Sequence, residues 1–116
     1  MAFYDSHCHL LGKWPQPGRL EEELKQARAK GVENIVSMSM DLESSALNIR
    51  FAQSNGGVLA AIGIHPWNAV PPTDELRRYF RKLAEREDVI AMGEVGLDYI
   101  RNPETKEIQK ELLRYE

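Results

Sequence analysis

"VLAAIGIHPW", residues 58–67, is the stretch on which the fold turns. From Val58 to Ile64 it carries no polar side chain, and it stops at His65-Pro66. A short apolar run bounded by Gly56-Gly57 on one side and His-Pro on the other reads as a β-strand. A bilayer span needs about 20 such residues, so this run, the longest in the chain, is far too short to be one. Upstream, Asp41 stands where a helix N-cap belongs, and Leu42, Ala46, Ile49 and Ala52 or Gln53 follow on one helical face until the glycine pair ends it. Before that helix, "NIVSMSM" (34–40) reads as a second strand. It is preceded by Leu20, Leu24, Ala27 and Gly31 at helical spacing. The loop "GKWPQPG" (12–18), punctuated by Pro15, Pro17 and Gly18, separates that helix from an apolar opening strand, Met1 to Ser6.

Downstream the alternation continues. After "VPPT", Thr73 can cap a helix whose first turn holds Asp74 and Glu75, with Leu76, Tyr79, Phe80, Leu83 and Ala84 as its apolar stripe. "DVIAMGEVGLD" (88–98) is a fourth strand running into a loop. Asn102-Pro103 forms a cap and first-turn pair for a fourth helix with Ile108, Leu112 and Tyr115 near one face. Alternating strands and helices imply parallel strands joined by right-handed crossovers. The expectation is a single α/β domain over residues 1–116 built of four βα units. Two architectures compete: a small doubly wound sheet and half of a (β/α)8 TIM barrel. A whole barrel takes roughly 250 residues, and the last helix reaches "LLRYE" without a Gly, Asn or Pro to stop it. Both points favour the half barrel.

Composition bounds the function. The chain is 42% hydrophobic and 28% charged, an ordinary globular balance. Its net charge of -3 offers no broad basic field for wrapping nucleic acid, though a substrate held through metal ions stays open. Arg77, Arg78, Arg81 and Lys82 form the one basic cluster and read as the solvated outer face of the third helix. A lone cysteine, Cys8, excludes an internal disulfide. With no secretory signal at the start, the expected location is cytoplasmic, with no membrane partner.

Three polar motifs fall at the C-terminal ends of the first, third and fourth strands, the edge where both architectures place ligands. In "DSHCHL" (5–10), side chains alternate with period two, so Asp5, His7 and His9 share one face and Ser6 and Cys8 the other. That suits a pair of imidazole metal ligands and leaves Cys8 as a small buried hydrophobe. Asp5 lies deeper on the same face, placed to orient a ligand. In "GIHPW", His65 leaves the third strand where it could touch a phosphate or move a proton. Trp67 could offer a face for stacking, although a packing role at the rim is the commoner one. In "MGEVGLDY" (92–99), Glu94 has two oxygens that could bridge two metal ions, Gly93 and Gly96 allow sharp turns beside it, and Asp98 lies within reach of the same mouth. Each motif alone is more often an ordinary strand end or turn. All three histidines of the chain falling in them is what favours a metal-dependent hydrolase.

"DSHCHL", "GIHPW" and "GEVGLDY" in this order resemble the TatD family of metal-dependent deoxyribonucleases, which are amidohydrolase-type (β/α)8 barrels. The resemblance implies hydrolysis of DNA phosphodiester bonds with divalent ions (Mg, Mn or Zn), two per complete site. It implies His7 and His9 as ligands of one metal, Glu94 as the bridging carboxylate, His65 as a catalytic residue near the substrate phosphate, and Asp98 as a further active-site residue. Family members continue through four more strand-helix units, which supply two more histidine ligands and a late catalytic aspartate. This chain has no histidine after His65 and no aspartate after Asp98. Its half barrel would expose the first and fourth strands as edges. Three arrangements answer this: a truncated, by itself inactive, form of a longer enzyme; pairing with a second copy or a separate C-terminal half; or an open sheet covered by helices. The alternative functions are an amide or ester hydrolase on the same barrel and a non-catalytic assembly subunit.

Overall fold

A computed structural model of the chain describes residues 1–11 and 18–116. Pro15, Pro17 and Trp14 lie outside the described residues. Four strands, β1 (Phe3–Cys8), β2 (Val32–Ser37), β3 (Val58–Ile62) and β4 (Val89–Met92), alternate with four helices, α1 (Arg19–Ala29), α2 (Leu42–Ser54), α3 (Asp74–Ala84) and α4 (Lys106–Tyr115). The sheet order is β1-β2-β3-β4, with every neighbouring pair parallel. A doubly wound sheet reverses its strand order at a switch point. Here each strand lies beside its predecessor, as around a barrel. The architecture is therefore four consecutive βα units, half of a (β/α)8 barrel.

The unbroken apolar run is the centre of this sheet. Ala60, Ala61 and Ile62 are fully buried. Ala60, Ile62 and Ile64 pack with Ile49, Leu76, Phe80 and Leu112 from three helices. A second cluster joins Leu20 and Leu24 of α1 to Ile35, Ala52 and Val58, with Cys8 against it. Full burial of a Leu, Ile or Phe side chain contributes about 1.5–3 kcal/mol. The opening and closing strands lack such cover: Tyr4 is 66% and Ile90 52% exposed.

The helix starts follow the expected chemistry. Asp41 Oδ1 accepts the Ser44 amide at 2.8 Å, while Ser44 Oγ accepts the Asp41 amide at 3.0 Å, a reciprocal capping box. Thr73 Oγ1 accepts the Leu76 amide at 3.1 Å. Asn102 departs from expectation. A 3-10 turn, Pro103–Thr105, intervenes before α4, and Asn102 makes no side-chain cap bond. Its amide donates instead to the Trp67 carbonyl at 3.1 Å. The α3 stripe is narrower than its sequence suggests, with Leu76 and Phe80 buried and Tyr79 and Ala84 exposed. Arg77, Arg78, Arg81 and Lys82 are all exposed, as a solvated face requires.

Candidate metal centre

β1 delivers the two histidines, but not as a regular strand. Asp5 pairs with Ile35 and Cys8 with Ser37, so the register slips by one residue between them. Such irregularities re-aim side chains beside a site. Asp5 Oδ1 accepts the backbone amide of His7 at 3.1 Å, so Asp5 orients the strand at His7 rather than an imidazole ring. Cys8 turns the other way, half-buried against the helix-side cluster, and burial pushes its thiol up from the ordinary value. It takes no place among the convergent donors.

Glu94 is brought beneath the histidines by backbone bonds between strand exits. The Gly93 amide donates to the Ile62 carbonyl at 2.7 Å, the Glu94 amide to the Ser39 carbonyl at 2.8 Å, and the Ser39 amide to the Gly93 carbonyl at 3.3 Å. Thus the end of β4 reaches past β3 to the segment after β2. Gly63 permits the approach: a Cβ there would stand 2.8 Å from Val95 Cγ1 and 3.1 Å from the Gly93 carbonyl carbon. The Met38 amide donates to the Cys8 carbonyl at 2.8 Å, tying the histidine strand to the same segment.

Residues 38–39 therefore touch both halves of the site, and Asn48 holds them. Asn48 Nδ2 donates to the Met38 carbonyl at 3.0 Å and to Ser39 Oγ at 2.9 Å. Ser39 Oγ donates onward to the Ala61 carbonyl at 2.7 Å, and Ser37 Oγ donates to Asn48 Oδ1 at 2.5 Å. Ser37, Ser39 and Asn48 are fully buried. Sequence reading missed them. The available signal was a serine and an asparagine, Ser45 and Asn48, on the same helical face as Ile49 and Ala52.

The side chains converge on one carboxylate. His9 Nε2 lies 3.1 Å and His7 Nε2 3.6 Å from Glu94 Oε2, and His65 Nε2 lies 3.6 Å from Glu94 Oε1. One donor atom each from His7, His9 and Glu94 falls within 4.8 Å of the others, the one such group among the described residues. Two imidazole nitrogens and a carboxylate oxygen match the donors that zinc and other divalent ions take, so these residues fit a metal. His65 is positioned separately. Its amide donates to the Met40 carbonyl at 3.0 Å, and its Nδ1 accepts the Trp67 amide at 3.1 Å. An accepting Nδ1 leaves the neutral ring's proton on Nε2, facing Glu94. Burial holds His65 below the ordinary imidazole value, against an opposing pull from the Glu94 and Asp98 carboxylates.

Asp98 lies beside this group without joining it. Its Oδ2 accepts the Trp67 indole N–H at 2.6 Å, and its Oδ1 accepts the amides of Ile100 and Arg101, both at 3.0 Å. The Arg101 amide above all, then the indole, holds its carboxyl below the usual aspartate range. Behind the loop, buried Gln109 accepts the Asp98 amide at 2.8 Å and donates to the Asp98 and Asn102 carbonyls. Gln109 also escaped sequence reading, although it stands between Ile108 and Leu112 on the inner side of α4.

Comparison with known proteins agrees with this geometry. The family described as "TatD related DNase" matches residues 4–116. An uncharacterized metal-dependent hydrolase of Bacillus subtilis, YabD, is 35% identical over 111 residues, covering 96% of this chain and 43% of its own length. A 3'-5' ssDNA/RNA exonuclease TatD of Cronobacter turicensis is 37% identical over 82 residues, 71% of this chain and 31% of that protein. The crystal structure of YJJV, a TatD homolog from Escherichia coli, superimposes with a TM-score of 0.79 at 31% identity, over 97% of this chain and 44% of that one. The chain thus spans less than half the length of the relatives it matches. With a family match over nearly its whole length and the same half-barrel backbone, the chain belongs to the TatD-related DNase family.

Proposed function

We propose that this chain forms the N-terminal, metal-binding part of a metal-dependent phosphodiesterase acting on DNA. The observation that carries the reading is the convergence of His7, His9 and Glu94 within 4.8 Å, with His65 Nε2 3.6 Å from the same carboxylate. His7 and His9 are assigned as ligands of one ion and Glu94 as the carboxylate shared between two. A divalent ion held there supplies Lewis-acid polarisation of a phosphoryl oxygen and a nucleophile at neutral pH. His65, neutral and with its proton on Nε2, donates a hydrogen bond to a phosphoryl oxygen. Asp98 acts through Trp67 and the loop it closes. The DNA assignment draws on the exonuclease name of one group of relatives; other relatives bear only the name of metal-dependent hydrolase.

Titration calorimetry with Mn2+ and Zn2+ tests the site. His9→Ala and Glu94→Gln should each weaken binding by more than the roughly 10- to 100-fold that loss of an outer-shell partner costs. Unchanged affinity in both variants removes the ligand assignment. Metal-dependent release of nucleotides from single-stranded DNA, set beside a panel of amides and esters, tests the substrate.

A further inference from the structure

We propose that Arg101 is a phosphate-binding residue at the rim of the metal centre, held in place by stacking on Trp67. The proposal rests on the nucleic-acid reading above and names a contact that reading does not contain. The Arg101 guanidinium carbon stands 4.2 Å from the centre of the Trp67 ring. Among the described residues, Arg101 makes no ion pair and no side-chain hydrogen bond. Its guanidinium is exposed, charged and free to take an anion.

The support beneath it is fixed at every point. The Trp67 indole N–H is held by Asp98 Oδ2 at 2.6 Å, its carbonyl by Asn102 at 3.1 Å, and its amide by His65 Nδ1 at 3.1 Å. The Arg101 amide is itself bound by the other Asp98 oxygen at 3.0 Å. Asp98 therefore orders both the ring and the residue that stacks on it. Its charge is shared among three N–H donors, and although it attracts Arg101, no carboxylate lies within 4.0 Å of the guanidinium among the described residues. On the other side, the Trp67 and His65 rings meet edge to face at 4.7 Å, and His65 reaches Glu94 at 3.6 Å. Three contacts thus link Arg101 to the metal-ligand carboxylate. A cation so placed stands on the same rim as the His65–Glu94 pair, open to a phosphate that flanks the one held there. Its planar fork suits phosphate, and a stacked guanidinium loses less freedom on binding than an unrestrained side chain.

The test uses the 116-residue chain in magnesium buffer. The probe is a short fluorescein-labelled thymidine oligonucleotide with hydrolysis-resistant phosphorothioate links, and the control is its uncharged methylphosphonate counterpart. Fluorescence anisotropy is read across a salt series. Arg101→Ala should weaken binding of the charged probe roughly three- to tenfold and reduce the slope of log affinity against log salt by about 0.7, the value for one phosphate on a single strand. Arg101→Lys should restore the slope while recovering only part of the affinity, because a point charge replaces the fork. Trp67→Ala should reduce affinity although its ring meets no phosphate, with an unchanged circular dichroism spectrum. If the wild-type chain binds the charged probe and Arg101→Ala binds it with equal affinity and slope, the Arg101 assignment is overturned while the nuclease reading stands. If the wild-type chain binds neither probe, or both equally, the nucleic-acid reading fails and this proposal fails with it.

Discussion

Gly63 shows how a single missing side chain shapes the site. The exit of β4 crosses close enough to bond with the segment after β2, and a methyl group at residue 63 would press on Val95 and on the Gly93 backbone. Gly63→Ala should destabilise the chain by about 1–3 kcal/mol, the usual range for overpacking, as read by thermal denaturation. It should also weaken metal binding, because the obstructed backbone carries Glu94. Asp98 gives a second check at this scale. Its carboxyl lies below the ordinary value of 3.8, so the order it brings to the loop is present above that value and is lost as pH falls through the lower folded one. The Trp67 indole N–H resonance should show a transition below about pH 4, as Asp98 takes up its proton. In Asp98→Asn that acid transition should be absent. His7, His9, Glu94 and His65 were legible in the sequence because a strand period and three motifs at strand ends place them. The true partners of Asp5 and Asp98 were not, because hydrogen bonds formed in a loop leave no periodic trace.

Among elements, α2 and α4 each do more than cover the sheet. α2 inserts Asn48 into the bonds that join the exits of β1, β2 and β4. Asn48→Ala would leave the Met38 carbonyl and the Ser37 hydroxyl without their side-chain partner in a buried site, and would take one of two bonds from Ser39 Oγ. It should cost about 2–4 kcal/mol in urea denaturation, as expected for buried polar groups left unpaired, and loosen metal affinity with it. α4 is followed by Glu116, whose Oε1 accepts the Ile64 amide at 2.7 Å just before His65. Burial pushes that carboxyl up to about 7. A raised folded value means that the folded chain binds the extra proton, so stability is full below the ordinary 4.5 and declines as pH rises toward 7. Glu116→Gln should flatten the melting temperature across that window and leave it unchanged below pH 4.5. Element types and order followed from periodicity and caps. Asn48 and Gln109 did not, because a polar residue on an apolar helical face declares its purpose only when the carbonyls it meets are known.

At the scale of the whole molecule, two exposed strands border the sheet, and large apolar side chains such as Tyr4 and Ile90 stand open on them. Unpaired edges with apolar side chains invite association. Sedimentation of the 116-residue chain should therefore depend on concentration, and Tyr4→Lys with Ile90→Lys should suppress the dependence. A monodisperse wild-type monomer would exclude it. The relatives are more than twice as long over the same fold. A chain extended by segments like theirs should cover these edges, and it should hold metal more tightly if it adds ligands to the three that converge here. By itself the sequence determined four strand-helix units, parallel pairing and the gathering of all three histidines with Glu94 at one sheet edge. Those follow from local periodicity and from the direction that βα units impose. Only the tertiary structure decided between barrel and doubly wound sheet, because strand order depends on which side of a strand its successor lies. It alone showed the slip in β1, the reach of β4 past Gly63 and the Asp98–Trp67–Arg101 cluster, since each joins residues far apart in sequence through contacts that no short stretch encodes.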